Sequence, residues 1–343
     1  MVWASASDWP WERCGPNHED MDLQLQFRPF RFALIRPLRT AAGVLRDRCG
    51  WLLRLEAASG AIGWGEVAPL DQGRLPRCQQ ELAALPTCLP REHLETLLPQ
   101  LCGALGFGLG AALAELDGLV GSGSRQGWLA APHGAQLLPA GGLMLSQLDR
   151  LLEQRGRRRA MTFKWKVAAE ADGLERRWLE QLMQRLPSTA LLRLDANGGW
   201  DRPTARSWMQ ALVGDPRFAW LEQPLSPEDG EGLESLAQQG PVALDESLHA
   251  DPQLRDRWSG WQVRRPAVEG DPRPLLRQLQ EGVPWRMVST AFETGIGRRW
   301  LNHLAALQMT GPTPAAPGLA PGWCPPGPLF SADPRRVWDA AGA

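Results

Sequence analysis

Hydrophobic and polar residues alternate along the first regular part of the chain. This period of two, from Leu23 through Leu34, is typical of β-strands with one buried face. Strands are predicted at 22–36, 50–57 and 61–66, and the Ser59-Gly60 pair predicts a turn between the last two. Helices are predicted at 76–85, 92–101 and 108–120. Residues 22–134 are therefore predicted to form a small α+β domain.

Two segments of this region have no regular pattern. Residues 1–21 are rich in Trp, Pro, Asn and acidic side chains, so we predict a disordered lead, or a true start at Met21. Residues 37–43 are predicted to form a loop between the first two strands. Thr40 and Gly43 in that loop are candidates for a flap that closes over a ligand.

The pattern changes after Ala135 to short apolar runs separated by helical segments. Strands are predicted at 137–143, 162–167, 191–196, 219–223, 241–246, 261–265 and 285–290. Helices fit between most of them, for example at 173–185, 202–212 and 274–281. This alternation over 135–310 predicts a closed parallel α/β barrel, whose chemistry collects at the C-terminal strand ends. Residues 311–343, with repeated Pro and Gly, are predicted to pack toward the first domain.

Composition narrows the function classes. The 343 residues carry a net charge of −1, so no broad cationic surface is expected and neither nucleic acid nor an anionic membrane is a default partner. No apolar stretch approaches the roughly 20 residues of a membrane span, and no signal-peptide pattern occurs at the N-terminus. A cytoplasmic protein with a small-molecule ligand is expected. The absence of tyrosine excludes a tyrosine acid.

Lysine occurs at only two positions, Lys164 and Lys166, although the chain contains 37 basic residues. Arginine stays protonated at any working pH, whereas a lysine can be shifted into a range where it exchanges protons. Side chains at i and i+2 of a strand lie on the same face, and like charges so close depress each other's pKa. The Lys164 and Lys166 pair therefore predicts a general base. The alternative is that both lysines occur by chance on an exposed edge strand and have no role in catalysis.

Three carboxylates stand near the ends of three successive predicted strands: Asp195, Glu222 and Asp245. Each alone fits a helix N-cap, but three at the same rim repel one another unless a cation holds them. An oxygen-only set favours Mg²⁺, or Mn²⁺, over zinc. Arg265, after the next strand, is expected to face the lysine strand across the barrel mouth.

These motifs together resemble the enolase superfamily. Lys-x-Lys at Lys164, Asp-Ala-Asn from Asp195, Glu-Gln-Pro from Glu222 and Asp-Glu-Ser from Asp245 carry the resemblance, which extends over about 23–319. It implies an α+β capping domain on a modified (β/α)7β barrel. Segments 36–43, 63–69, 192–197 and 289–297 look most like the o-succinylbenzoate synthase family, which implies a dehydratase of menaquinone and phylloquinone synthesis.

The resemblance also implies roles for single residues. Asp195, Glu222 and Asp245 would bind Mg²⁺, Lys166 would be the catalytic acid and base, and Lys164 would lower the pKa of its partner. Further expectations concern residues around these groups. Arg193 is expected to contact the substrate carboxylate or to orient the ligands, with a structural ion pair as the alternative. Substrate contacts are also expected at Asn197, at Thr40, and, for the succinyl tail, at Ser289, Thr290 and Gly295. Glu246 is expected to support the metal ligands from behind.

One position departs from the family pattern, because its second catalytic lysine, which precedes a proline, is Arg265 here. A racemase needs two groups that exchange protons, and a guanidinium is poorly suited to that role. A syn dehydration needs one such group, with Arg265 as a fixed cation over the opposite face of the ring. Three functions remain open: this dehydration, another superfamily reaction (cycloisomerisation, N-acylamino acid racemisation or dipeptide epimerisation), and a barrel that only binds a metabolite.

Overall fold

The computed structural model describes residues 22–40, 43–156 and 160–342. The lead predicted at 1–21 lies outside the described residues. The described residues form two sheets: one antiparallel, with four strands, and one parallel, with seven. Within the described ranges, every helix is too short or too polar to cross a membrane.

The antiparallel sheet forms the capping domain. Its strands are β1 Asp22–Thr40, β2 Gly43–Ala57, β3 Ile62–Val67 and β4 Cys88–Pro90. They lie in the order β3-β2-β1-β4. β1 and β2 stay paired out to Thr40 and Gly43, so residues 37–40 continue the hairpin instead of forming the predicted loop. The pairing is irregular between Ala33 and Leu38, which accommodates Pro37 because a proline cannot donate to the ladder.

Three helices complete the capping domain: α1 Leu75–Ala83, α2 Arg91–Leu97 and α3 Gly103–Leu116. α3 is buried on nearly all sides and lies directly against β3. A Cβ atom at Gly63 or Gly65 of β3 would collide with the backbone of α3 at Ala112 or Gly108. The glycines on both sides of this contact therefore allow β3 and α3 to pack closely.

The parallel sheet forms the barrel. Its strands are β5 Gln136–Leu138, β6 Thr162–Lys166, β7 Leu191–Asp195, β8 Phe218–Glu222, β9 Val242–Leu244, β10 Trp261–Arg264 and β11 Arg286–Val288. Each strand pairs with the next along the chain. The register places Lys166 beside Asp195, and Asp195 beside Glu222. The C-terminal ends of β6, β7 and β8 are therefore level.

Helices surround this barrel and connect its strands. They are α4 Leu143–Arg155, α5 Asp172–Arg185, α6 Arg202–Leu212, α7 Gly230–Ala237, α8 Glu246–Ala250, α9 Leu254–Arg257, α10 Pro266–Glu269, α11 Arg273–Gln280 and α12 Gly295–Thr310. The last helix, α13 Pro334–Ala340, packs on the capping sheet instead. Fully buried tryptophans, such as Trp165 and Trp208, fill the layer between strands and helices.

Residues 317 and 318 close the barrel at its eighth position. Gly318 donates its N–H to Val288 O and accepts from Thr290 N, at 2.8 and 3.0 Å, on the β11 side. Pro317 O accepts from Ala135 N at 2.9 Å on the β5 side. Part of the segment 311–343 thus belongs to the barrel, and the chain then returns to the capping sheet, where Trp338 packs on Trp64 with ring centroids 5.6 Å apart.

Three barrel strands, β5, β9 and β11, have only three residues each and are shorter than the sequence predicted. β5 ends at Leu138 because the chain turns at Gly141, with φ of 72°, before α4. β9 ends at Leu244, and Glu246 already begins α8. Asp245 therefore lies in the turn between strand and helix, at the mouth of the barrel.

Candidate active site

Lys164 lies inside the barrel among carboxylates. It shares the inner face of β6 with Lys166, because Phe163 and Trp165 occupy the outer face, fully buried against the helices. Lys164 Nζ is 2.8 Å from Asp195 Oδ2 and 2.5 Å from Glu222 Oε1. Burial lowers the pKa of Lys164, but the carboxylates of Asp195, Glu222 and Asp245 outweigh it and raise that pKa above its ordinary value. Lys164 is therefore held as a cation.

Lys166 lies one step closer to the barrel mouth and contacts Asn197. Its Nζ donates to Asn197 Oδ1 at 2.8 Å and is 4.0 Å from Asp195 Oδ2. Asn197 Nδ2 donates to Glu246 Oε1 at 2.9 Å, which fixes the orientation of the amide. Asn197 has a φ of 46°, a left-handed conformation that asparagine tolerates better than most residues. The Asn197 side chain thus orients Lys166 at the cavity wall.

The three predicted ligand carboxylates are buried at the ends of adjacent strands. Asp195, Glu222 and Asp245 are 1%, 0% and 3% exposed. Burial, the largest influence, raises the pKa of Glu222, and its Oε2 is buried without a hydrogen-bond partner. Ionised carboxylates that are buried in this way need a cation beside them.

The donor chemistry of these carboxylates fits a hard divalent cation. All the donors are oxygens, the set is strongly negative, and one oxygen of Glu222 is unpaired. In the arrangement described for residues 22–40, 43–156 and 160–342, no three His, Cys, Asp or Glu side chains have the spacing of an assembled metal site. Here Lys164 and Arg265 neutralise the carboxylates instead, so an ion would have to displace these contacts.

Arg265 follows β10 and binds Asp245. Its Nε donates to Asp245 Oδ1 at 2.9 Å, its Nη2 donates to Oδ2 at 2.5 Å, and its Nη1 donates to Thr290 O at 2.7 Å. Although burial opposes it, Arg265 holds the pKa of Asp245 well below its usual range. β6 and β10 are four positions apart in an eight-membered ring, so Lys166 and Arg265 lie on opposite sides of the barrel mouth.

Arg193 lies deeper in the barrel, on β7. It is 1% exposed, donates from Nη1 to Ala316 O at 2.7 Å, and has its guanidinium carbon 4.0 Å from the Trp220 ring centroid. Burial lowers the pKa of Arg193 to about 9. Its contacts are with the barrel itself, and its contact with a substrate stays a prediction.

A cavity of about 800 Å³ lies between the barrel mouth and the capping domain. The predicted site residues that line it are Lys164, Lys166, Arg193, Asp195, Asn197, Asp245, Glu246, Arg265, Ser289 and Thr290. Burial, with the charges of Asp245 and Asp195, raises the pKa of Glu246 to about 8. The structure thus brings together most of the residues that the sequence selected.

Of the predicted residues whose side chains are described, Glu222 and Gly295 do not line this cavity. Glu222 is buried behind Lys164. Gly295 is at the start of α12, where a Cβ atom would collide with Ser331 O, so its lack of a side chain serves packing. The side chain of Thr40 lies outside the described residues.

Sequence reasoning missed several wall residues. His249 lies beside Asp245, and its Nδ1 is 3.0 Å from Asp245 O. The spacing of four residues on a short helix was a usable signal for His249. Leu38, Leu70 and Arg74 reach the cavity from the capping domain, and no local pattern indicates that they do.

Comparison with known proteins identifies the family. A sequence profile described as "Enolase C-terminal domain-like" matches residues 144–257. An o-succinylbenzoate synthase from Thermosynechococcus vestitus is 37% identical over 82% of this chain and 88% of its own length. The chain belongs to the o-succinylbenzoate synthase family. A second such synthase, from Photorhabdus laumondii, is 30% identical over 60% of both chains.

Solved structures agree with membership of the o-succinylbenzoate synthase family. The synthase from Thermosynechococcus elongatus BP-1, described as complexed with Mg in the active site, has a TM-score of 0.76 at 32% identity, over 92% of this chain and 99% of that one. An L-Ala-D/L-Glu epimerase from Bacillus subtilis has a TM-score of 0.63 at 20% identity, over 85% of this chain and 89% of that one, and shares the fold. The predicted capping domain and modified (β/α)7β barrel are thereby confirmed.

Proposed function

We propose that this protein is an o-succinylbenzoate synthase. It would dehydrate 2-succinyl-6-hydroxy-2,4-cyclohexadiene-1-carboxylate to o-succinylbenzoate in the synthesis of menaquinone or phylloquinone. One observation carries the proposal: Lys166 and Arg265 line the same cavity from opposite sides. A lysine is suited to exchange protons, whereas an arginine is not. The 37% identity to a synthase over most of both chains supports the same reaction.

We propose Mg²⁺ as the cofactor, with Mn²⁺ as a substitute. Asp195, Glu222 and Asp245 would hold it, and their oxygen-only chemistry supports that assignment. The relative solved with Mg in its active site supports the choice of ion. When bound, the ion would stabilise the negative charge that develops on the substrate carboxylate.

Lys166 would carry the proton transfers. As a neutral amine it takes the proton from the carbon next to the carboxylate. As an ammonium it then gives that proton to the hydroxyl that leaves from the same face, so water departs and the ring becomes aromatic. Asn197, bound to Lys166 Nζ at 2.8 Å, would orient the amine for both steps.

Arg265 would act on the opposite face without exchanging protons. The charge of Asp245 raises the pKa of Arg265 above its ordinary value despite burial, so the guanidinium remains a cation. A fixed positive charge stabilises the anion formed when the proton leaves. Racemisation and epimerisation need a proton donor on that face, so the arginine favours the dehydration over them.

An ultraviolet assay of the purified protein with Mg²⁺ and the cyclohexadiene substrate tests this function. Formation of the aromatic product, lost with EDTA and in Lys166→Ala, is the expected result. Folded, Mg²⁺-loaded protein that gives no product would overturn the proposal and favour a cycloisomerase or a binding protein. The same proposal includes that the substrate is a small molecule and that the protein acts in the cytoplasm.

A further inference from the structure

Glu66 connects the capping domain to the first turn of α12. It is on β3, 2% exposed, and its carboxylate accepts from three donors of the barrel domain. Glu66 Oε2 accepts from Thr294 N at 3.0 Å, Thr294 Oγ1 at 2.5 Å and Gly297 N at 3.0 Å. A carboxylate at a helix N-terminus satisfies N–H groups that have no partner within the helix.

Gly297 makes this approach possible. A Cβ atom at Gly297 would lie 2.8 Å from Glu66 Oε2 and 2.8 Å from Glu293 Cβ, closer than side-chain atoms pack. Arg48, fully buried in β2, donates to Ala68 O and Pro69 O, at 2.6 Å each, and its charge lies near Glu66 and Glu293. The start of α12 is therefore adapted to a carboxylate from the other domain.

The backbone that Glu66 holds leads directly to the active site. Glu293, next to Thr294, accepts from Thr290 Oγ1 at 2.6 Å and from Ala291 N at 2.5 Å. Between them Phe292 has a φ of 65°, a conformation that a bulky residue keeps only when its surroundings impose it. Thr290 O then accepts from Arg265 Nη1 at 2.7 Å.

We propose that Glu66 is a positioning residue, which fixes the segment 290–294 and, through the Thr290 carbonyl, the guanidinium of Arg265. The inference rests on the proposed function, since Arg265 is assigned there as the fixed cation. It assigns to the capping domain a role in the chemistry, beyond covering the cavity. Glu66 itself does not touch the cavity.

Glu115 offers a matched control. It is also a carboxylate of the capping domain, on α3, with a side chain 9% exposed, and it also contacts α12, through Arg299 Nη2 at 2.5 Å. Burial raises the pKa of both Glu66 and Glu115 to about 7. Of these two glutamates, only Glu66 contacts the backbone that leads to Thr290. Comparing variants of the two therefore distinguishes the effect of a contact between the domains from the effect of positioning the segment 290–294.

The kinetic test compares Glu66→Gln with Glu115→Gln. A glutamine has one acceptor oxygen, and its NH₂ would face Thr294 N, which also donates to Glu66 Oε1 at 3.1 Å, so the anchor of the segment 290–294 is weakened. We expect kcat of Glu66→Gln to fall by about tenfold or more while KM changes by less than about threefold. Glu115→Gln should keep kcat within about twofold despite a similar loss of thermal stability. Equal kcat losses in the two variants would overturn the proposal.

A double-mutant cycle tests the route through Arg265. In the Arg265→Met background, Glu66→Gln should change kcat by less than about twofold, because the group it positions is gone. The same tenfold loss in both backgrounds would show that Glu66 acts on something other than Arg265 and would overturn the proposal.

Amide hydrogen exchange tests, without substrate or catalysis, whether Glu66 holds the segment 290–294 in place. Amides in the peptide 289–297 should exchange faster in Glu66→Gln than in the unmodified protein or in Glu115→Gln. Unchanged exchange would overturn the positioning role even if the protein is an active synthase. A protein without synthase activity but with the expected exchange would remove the proposed function and leave the anchor established.

Discussion

Arg265 binds both oxygens of the Asp245 carboxylate, through Nε to Oδ1 at 2.9 Å and Nη2 to Oδ2 at 2.5 Å. A lysine at this position would supply a single point charge and could not bind the carboxylate in this two-pronged way. The arginine is therefore built into the site, in contact with one predicted metal ligand and with Thr290 O.

Arg265→Lys should lower kcat by about tenfold, because it keeps the charge but loses the two-pronged bond to Asp245 and the contact with Thr290 O, whereas Arg265→Met should lower kcat by about a hundredfold, because it also removes the charge. The ultraviolet assay at saturating substrate gives both values. A gain of tenfold or more in Arg265→Lys would mean that the arginine impairs the native enzyme.

Lys166→Ala and Lys166→Arg should both lose about a thousandfold in kcat, because each removes the one group that takes and returns the proton. The arginine variant is the informative one, since it keeps the positive charge. Circular dichroism and melting temperature verify that both variants are folded. Substantial activity in Lys166→Arg would rule out proton transfer by this residue.

Asn197→Gly removes the partner of Lys166 without straining the backbone, since glycine accepts the left-handed φ of 46°. We expect kcat to fall by about tenfold in this variant and in Asn197→Ala, because both leave Lys166 without its orienting contact. Asn197→Ala should in addition lose about 1 kcal/mol of stability. Urea denaturation separates the two effects, and full activity in the glycine variant would remove Asn197 from the site.

Glu222→Gln should weaken Mg²⁺ binding by at least about a hundredfold, since even changes behind the ligands cost tenfold or more. Isothermal titration calorimetry measures this without substrate. Glu115→Gln, a change at a carboxylate that does not line the cavity, should bind Mg²⁺ like the unmodified protein. Unchanged binding in Glu222→Gln would remove Glu222 from the ligand set.

Glu66 and Glu115 should make stability fall as the pH rises from about 4.5 to about 7. Burial raises the pKa of each to about 7, from an ordinary value of 4.5. The unfolded chain therefore releases these protons at lower pH than the folded protein, and each group lowers the free energy of unfolding by up to about 1.4 kcal/mol per pH unit in this window. Urea denaturation across the window should show a shallower decline in each Gln variant.

The sequence located most of the site because parallel strands impose their own geometry. Lys166, Asp195 and Glu222 end neighbouring strands, so their approximate register follows from the alternation of strands and helices alone. α12 was not predicted, since it is buried on several sides and shows no single apolar face. The contact of Glu66 with Thr294 joins distant segments of different domains, and no local pattern contains it.

Two further features could not be predicted, because the hydrophobic periodicity of the sequence does not indicate turns or very short strands. Asp245 was predicted inside a strand but lies in a turn, where Arg265 can reach both of its oxygens. The eighth barrel position consists of a few residues next to Pro317, with too little alternation to be recognised as a strand.

The closure of the barrel by Gly318 has a consequence for biosynthesis. A chain still emerging from the ribosome can pair β5 through β11, but its two sheet edges stay open until residues 317 and 318 leave the exit tunnel. Arg193, which donates to Ala316 O, lacks this acceptor until the same moment. The nascent protein can therefore complete the barrel and its cavity only after residues 316–318 have left the tunnel.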